Sequence, residues 1–279
     1  MNDIISCRGL PPYALGVNVQ QKRLGNTDIT VSVLGLGTVK FGRNQAVKYP
    51  EAFELPDDQH LSHLLNSARD LGINLIDTAP AYGNSEARLG TLLSDSRKNW
   101  VIVSKVGEEF VNGNSIYNFT PEHAEKSIKR SLKQLNTDYI DVVLVHSDGN
   151  DVYNIEHFGI LHFLSELKKQ GLIRAFGMST KTVEGGIRAL EQSDVVMVTY
   201  NPTETTEQPV IAKAFELNKG VLIKKALASG HIQKIPGLDP VKTSLQFILQ
   251  EPGVSSIILG TLDPAHLAHN VACISKNLI

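Results

Sequence analysis

Cysteine is scarce in this chain. Cys7 and Cys273 are its only two and sit near opposite ends, so a disulfide framework is not expected and a reducing compartment is the default. No run of about 18 apolar residues occurs, which argues against a membrane-spanning helix. The first residues carry Asp3, Arg8, Pro11 and Pro12 and no continuous apolar stretch, unlike a signal peptide. A charge of one sign is missing too. The 27 basic and 29 acidic side chains are intermixed and leave a net charge of −2, which gives no ground for nucleic-acid or membrane-surface binding. Linkers, charge blocks and low-complexity segments are also lacking. We expect a soluble, cytoplasmic protein.

What is present is a long series of alternating elements. The 279 residues, 42% of them hydrophobic, suffice for a substantial core, and α/β barrels fill such a length as one domain. Residues 1–20 read as an irregular arm, and Arg23 to Val31 as a short hairpin turning at Gly25-Asn26. Strands follow at 31–36, 73–76, 100–104, 140–145, 173–177, 195–199, 220–223 and 255–259. A helix starts after Asp57 and closes at Gly72, with Leu61, Leu64, Leu65, Ala68 and Leu71 at helical spacing. Further helices are expected near 84–94, 120–135, 157–170, 181–191, 205–218, 241–250 and 264–276. Thr120-Pro121-Glu122 is a strong helix start. The strands are continuous apolar runs, as in a parallel sheet covered on both faces. Eight strand–helix units predict a (β/α)8 TIM barrel with a short N-terminal β-hairpin, forming a single domain over residues 1–279. A doubly wound sheet is the rival, but Gly35-Leu36-Gly37-Thr38-Val39-Lys40 lacks the third glycine of its fingerprint.

Chemistry in such a barrel sits at the C-terminal ends of the strands. The second strand ends at Asp77, the third runs into Lys105, and the fourth into His146; Tyr82 lies in the loop after Asp77. Each has a plain structural reading alone: a turn cap, a solvated rim charge, a satisfied polar residue, packing. Four such residues at one rim point to a site. A phenol is a poor acid at neutral pH. A lysine ammonium beside it lowers its pKa, an aspartate keeps that lysine charged, and an imidazole orients the same reacting oxygen. The set protonates a carbonyl oxygen; a cofactor must supply the hydride.

Asp77-Thr78-Ala79-x-x-Tyr82-Gly83-x-Ser85-Glu86, with Lys105 and His146, resembles the tetrad motifs of the aldo-keto reductases. The resemblance spans about residues 21–275 and includes Tyr139-Ile140-Asp141 and Gly177-x-Ser179. It implies reversible, NAD(P)H-dependent reduction of aldehydes and ketones in a barrel without metal. By position, Tyr82 is implied as the general acid/base, Lys105 and Asp77 as the residues that tune it, and His146 as the one that orients the carbonyl.

The same resemblance places the cofactor against Gly37, Thr38, Val39, Asp77, Ser179, Lys224, Ala226, Leu227, Gly260, Thr261, His266 and Asn270. A Gly-Thr turn opening a helix offers free N–H groups to a phosphate. Several positions depart from the family pattern: Thr180 replaces a common Asn, Met197 a usual Gln, and the Lys224-Lys225-Ala226-Leu227 segment lacks the aromatic that stacks on nicotinamide. Basic residues that often clamp a 2′-phosphate align with Gly260 and His266. His266 with Lys224 or Lys225 favours NADP(H) over NAD(H).

Substrate specificity is expected from the loop Gly107–Phe119, with Phe110, Ile116, Tyr117 and Phe119 as walls, and from Asp148, Asn150 and Asp151 toward hydroxyls. The chain stops just after its last helix, so a fairly open pocket for small carbonyl or sugar-like substrates is expected. Two other readings stay open. One is an NADPH-binding, redox-sensing partner subunit with little turnover; the other is a Schiff-base lyase using Lys105. The oligomeric state is not legible.

Overall fold

Short apolar runs and amphipathic helices close on themselves in the computed structural model, which describes residues 18–275. In chain order the strands are β1 (Gln21–Arg23), β2 (Thr30–Ser32), β3 (Leu34–Gly37), β4 (Leu75–Asp77), β5 (Val101–Val106), β6 (Glu108–Val111), β7 (Asn114–Tyr117), β8 (Ile140–His146), β9 (Ile173–Ser179), β10 (Val195–Thr199), β11 (Gly220–Lys224) and β12 (Ser256–Leu259). Strands β3, β4, β5, β8, β9, β10, β11 and β12 pair in parallel in that order, and β12 returns to β3 to close the barrel. The protein is therefore a (β/α)8 barrel. Strands β1 and β2 form the expected antiparallel hairpin. The arm expected over residues 1–20 lies mostly outside the described residues, as does the last residue of the helix expected over 264–276.

Alternation along the strands separates two cores. Leu75, Val101, Val103, Val142, Leu144, Ala175, Val195, Met197 and Leu222 pack together inside the barrel with Leu24, Ile29 and Val31 of the hairpin, which thus plugs one end. Their neighbours of opposite parity, among them Ile76, Ile102, Val143, Val145, Phe176, Val196 and Ile223, pack outward in a second cluster shared with the helices. Fully burying one such side chain contributes about 1.5–3 kcal/mol, so the pleat of each strand is strongly specified. Continuing the inward parity toward the strands' C-terminal ends leads from Leu75 to Asp77, Val103 to Lys105, Leu144 to His146, Ala175 to Ser179 and Leu222 to Lys224.

Ten helices run α1 (Val39–Gly42), α2 (Asp58–Asp70), α3 (Ser85–Leu92), α4 (Pro121–Gln134), α5 (Asp151–Phe158), α6 (Ile160–Lys169), α7 (Val183–Gln192), α8 (Gln208–Glu216), α9 (Pro240–Leu249) and α10 (Pro264–Ile274) among the described residues. Asp57 caps α2 by accepting from the His60 N–H at 2.7 Å, and Thr120 caps α4, as their sequences require.

Three segments differ from the sequence expectation. The first strand is split at Val33, because Ser32 turns the chain locally: its Oγ donates to the Leu34 carbonyl at 2.6 Å and accepts from the Asn74 N–H at 3.0 Å. The helix expected over 157–170 is two helices, α5 and α6, broken at Gly159, whose φ of +59° is left-handed. The loop Gly107–Phe119 is a hairpin, β6–β7, turning on Asn112 (φ +49°) and Gly113 (φ +82°). Positive φ at both central residues fits a type I′ hairpin turn.

Candidate active site

Strand β4 ends at Asp77, and the ten residues that follow fix its surroundings. Thr38 Oγ1 donates to the Asp77 carbonyl at 2.9 Å, Ser85 Oγ donates to Thr38 Oγ1 at 2.9 Å, and Thr78 Oγ1 lies 3.1 Å from Ser85 Oγ. All three hydroxyls are buried. A single helical turn, Pro80–Tyr82, then lifts Tyr82 above the rim. Gly83 follows at φ +63°, where a Cβ would lie 2.1 Å from the Gly42 carbonyl oxygen, so only glycine fits. Glu86 is buried on α3, held by Ser104 Oγ at 2.6 Å and Ser131 Oγ at 3.0 Å, and burial raises its pKa.

The tetrad residues meet at this rim. Lys105 is 2% exposed; its Nζ lies 2.6 Å from Asp77 Oδ1 and donates to the Thr78 carbonyl at 2.9 Å. The same Nζ stands 4.7 Å from the centroid of the Tyr82 ring. Tyr82 and His146 meet edge to face, with centroids 6.2 Å apart. Burial pushes the Tyr82 phenol well above its usual pKa, and the charges of Asp77 and Glu108 add to the rise. This is opposite in direction to the lowering expected above: burial and the neighbouring acidic groups outweigh the opposing charge, that of Arg43.

A residue absent from the sequence reading completes the set. Glu108, the first residue of β6, places Oε2 2.7 Å from His146 Nδ1. Burial opposes the Glu108 charge, but His146, Ser115 and Arg43 outweigh it and hold the carboxyl at about 2. Burial holds the His146 imidazole below its usual range, with Glu108 pulling the other way and Lys105 and Lys224 adding to the drop. Arg43 lies over the Phe110 ring, 3.5 Å from its centroid, and 3.7 Å from Glu108 Oε1. The Asn112-Gly113 pair is the sequence signal for the turn of this hairpin, though not for where it sets Glu108.

A cleft of about 460 Å³ opens over these residues. Gly37, Val39, Asp77, Ser179, Lys224, Ala226, Leu227 and Gly260 of the sequence-derived cofactor set line it together with Tyr82 and His146. Thr38 is buried beneath. Lys224 Nζ donates to Ser179 Oγ at 2.9 Å and also to the Thr180 carbonyl. Burial is the main cause that brings its pKa down to about 8; Lys225 and Lys181 add to the drop, and Glu207 and Asp151 oppose it. Thr261, His266 and Asn270 are not part of this lining. Thr261 Oγ1 accepts from the Asp263 N–H at 3.1 Å, His266 is exposed on the first turn of α10, and Asn270 is buried on that helix.

The substrate-loop expectations divide. Tyr117 and Ser115 line the cleft. Ile116 is exposed, and Phe119 is buried against Phe158. Asp148 accepts from the Asn150 N–H and the Asn154 amide, both at 2.8 Å. Buried Asp151 accepts from the Lys181 N–H at 2.9 Å and from the Thr182 N–H at 2.8 Å. Asp148 thus closes its own loop onto α5 and Asp151 joins that loop to the one after β9; neither lines the cleft.

The chain matches the Aldo/keto reductase family over residues 33–235 and belongs to it. Its structure is similar to the crystal structure of PA4992 from Pseudomonas aeruginosa, with a TM-score of 0.86 and 52% identity over 94% of this chain and 98% of that one. It is also similar to the NADH-specific methylglyoxal reductase of Escherichia coli, 26% identical over 91% of this chain and 93% of the relative. L-Galactose dehydrogenase of Arabidopsis thaliana is 25% identical over 92% and 89%. The family is one of oxidoreductases that use nicotinamide cofactors.

Proposed function

We propose that this protein reduces small aldehydes and ketones reversibly, with a nicotinamide dinucleotide as redox partner and Tyr82 as the group that passes the proton. The observation that supports this reading is the convergence of Tyr82, His146 and the 2.6 Å Lys105–Asp77 pair at one rim beneath an open cleft.

The cleft suits a dinucleotide. Lys40, Lys181, Lys224 and Lys225 bring positive charge toward an anionic ligand. Side chains at Gly37 and Gly260 would fill its wall: a Cβ at Gly260 would lie 2.9 Å from the Tyr49 hydroxyl, and one at Gly37 3.1 Å from Ile258. Gly37, Thr38, Val39, Asp77, Ser179, Lys224, Ala226, Leu227 and Gly260 would hold the cofactor, with Thr261, His266 and Asn270 reached from the start of α10. When bound, it supplies the hydride.

The chain's own residues handle the proton. The raised pKa of Tyr82 keeps the phenol protonated at neutral pH, so the acid form is at hand for the carbonyl oxygen. As the phenolate forms, the Lys105 ammonium beside the ring would stabilise it, and Asp77 holds that ammonium in place. His146, with Glu108 beside its Nδ1, would turn its other ring nitrogen toward the same oxygen, as a donor in its imidazolium form. Lys105 is poorly suited to Schiff-base chemistry, being buried and hydrogen-bonded as a cation.

Oxidation of NADPH and of NADH, followed with a panel of carbonyl compounds, tests the proposal. We expect turnover of small or polar aldehydes, and an NADP(H) preference in kcat/KM. A preference for NAD(H) above about tenfold (about 1.4 kcal/mol in transition-state stabilisation) would overturn that preference. Faster turnover of bulky steroids would overturn the substrate class, and cofactor binding without turnover would favour the redox-sensing subunit.

A further inference from the structure

Outside the cleft, the packed pair α9 and α10 carries a cluster that hydride transfer does not use. Asp239 caps α9: its Oδ1 accepts from the Lys242 N–H at 3.0 Å, which leaves Oδ2 toward α10. His269 and Cys273 stand one turn apart on α10 and face it. His269 Nε2 lies 3.3 Å from Asp239 Oδ2. Cys273 Sγ lies 3.4 Å from His269 Nε2 and 3.9 Å from Asp239 Oδ2. Among the described residues this is the one group of three His, Cys, Asp or Glu ligand atoms gathered so closely.

The triangle has nearly the dimensions of one face of a zinc tetrahedron. Zinc bonds of about 2.1 Å to N and O and about 2.3 Å to S, at the tetrahedral angle, separate N from O by about 3.4 Å and S from either by about 3.6 Å. The largest departure is about 0.3 Å, on the S–O edge of 3.9 Å. A thiol has one hydrogen for its two neighbours here, so hydrogen bonding alone leaves one edge unexplained.

We propose that Asp239, His269 and Cys273 bind a zinc ion, with its fourth position open to water. On binding, the Cys273 S–H bond breaks, its proton passes to solvent, and the sulfur electron pair forms the bond to zinc. The thiolate and the Asp239 carboxylate then balance the charge of the cation, with neutral His269 as third ligand. A mixed N, O, S set suits zinc and disfavours magnesium and calcium. Cys273 is buried, whereas Asp239 and His269 are open enough to admit the ion. The ion clamps α10 to the start of α9, directly after the segment that carries Ser229, Gly230 and Ile232 of the cleft wall. It lies apart from the carbonyl-reducing rim and takes no part in that chemistry.

The experiment is titration of chelator-treated protein with zinc by calorimetry, and with cobalt as a spectroscopic probe. We expect one zinc per chain, a thiolate-to-cobalt charge-transfer band, and a thermal unfolding midpoint that rises with zinc. Cys273→Ser and His269→Ala each weaken zinc binding by about 100-fold or more, while His162→Ala, on α6, leaves it unchanged. An unaltered circular-dichroism spectrum shows that each variant is folded. Wild-type protein that binds no zinc at micromolar concentration, or binds it as tightly in Cys273→Ser, overturns the proposal. Neither outcome bears on carbonyl reduction, which is read separately from NADPH oxidation.

Discussion

Oε2 of Glu108 lies 2.7 Å from Nδ1 of His146, joining hairpin β6–β7 to the end of β8. A carboxylate beside the ring favours its protonated form; a neutral ring with its proton on Nδ1 presents Nε2 as an acceptor, whereas the imidazolium donates from it. An alcohol substrate meets the first form favourably, and a carbonyl the second.

Reduction should therefore lose kcat/KM as pH rises through the His146 pKa, which lies below the usual imidazole range. Glu108→Gln removes the negative charge that favours the imidazolium, so the descending limb moves to lower pH by about one unit, or about 1.4 kcal/mol. The measurement is the pH profile of kcat/KM for both proteins; coincident profiles would show that Glu108 does not set the state of His146.

Lys224 titrates near 8. Below that pH it is a cation in the cleft, and above it a neutral amine. Affinity for NADPH should fall as pH rises from 7 to 9. In Lys224→Met, affinity is lower at pH 7 and nearly independent of pH across that range. Fluorescence titration at three pH values decides this, and an equal pH dependence in the variant would rule Lys224 out.

Tyr82→Phe removes the hydroxyl while keeping the ring beside Lys105. We expect kcat to drop by about 100-fold to 10,000-fold with cofactor affinity unchanged. A variant with near-normal kcat would transfer the acid role to another group.

Asp141 tests the scaffold. It is buried, accepting from Arg97 at 2.9 Å, Arg174 at 2.7 Å and the Ile102 N–H at 3.0 Å. Asp141→Ala strands two guanidinium partners and a backbone N–H, and should cost about 3–5 kcal/mol of stability. Chemical denaturation measures it; a loss below about 1 kcal/mol would mean that water replaces the carboxylate fully.

The barrel and its rim were legible because both follow from patterns a sequence carries. Apolar runs of strand length fixed the number of strands, and the residue closing each run gave Asp77, Lys105 and His146. Glu108 was not legible in the same way, since Gly107 (φ +100°) reverses the chain out of the strand; its position depends on tertiary placement of a hairpin. The Asn112-Gly113 pair is a local signal for the turn of that hairpin, but not for where the hairpin docks. The roles expected for Asp148 and Asp151 failed for a related reason. An acid after a strand reads alike whether it faces a ligand or N–H groups nearby, those of its own loop and α5 for Asp148 and of the next loop for Asp151.

Strand alternation also carries a consequence for making the protein. Ser104, beside Lys105 on β5, points outward to Glu86. A slip of β5 by one residue would turn Lys105 into the helix-facing layer and Ser104 into the lumen, ruining the outer packing and the Lys105–Asp77 pair together. Misregistered chains are thus barred from accumulating as well-folded but inactive molecules. For this barrel, the yield of active protein after refolding should equal the yield of native protein, and a simple activity assay serves as a census of correctly threaded strands.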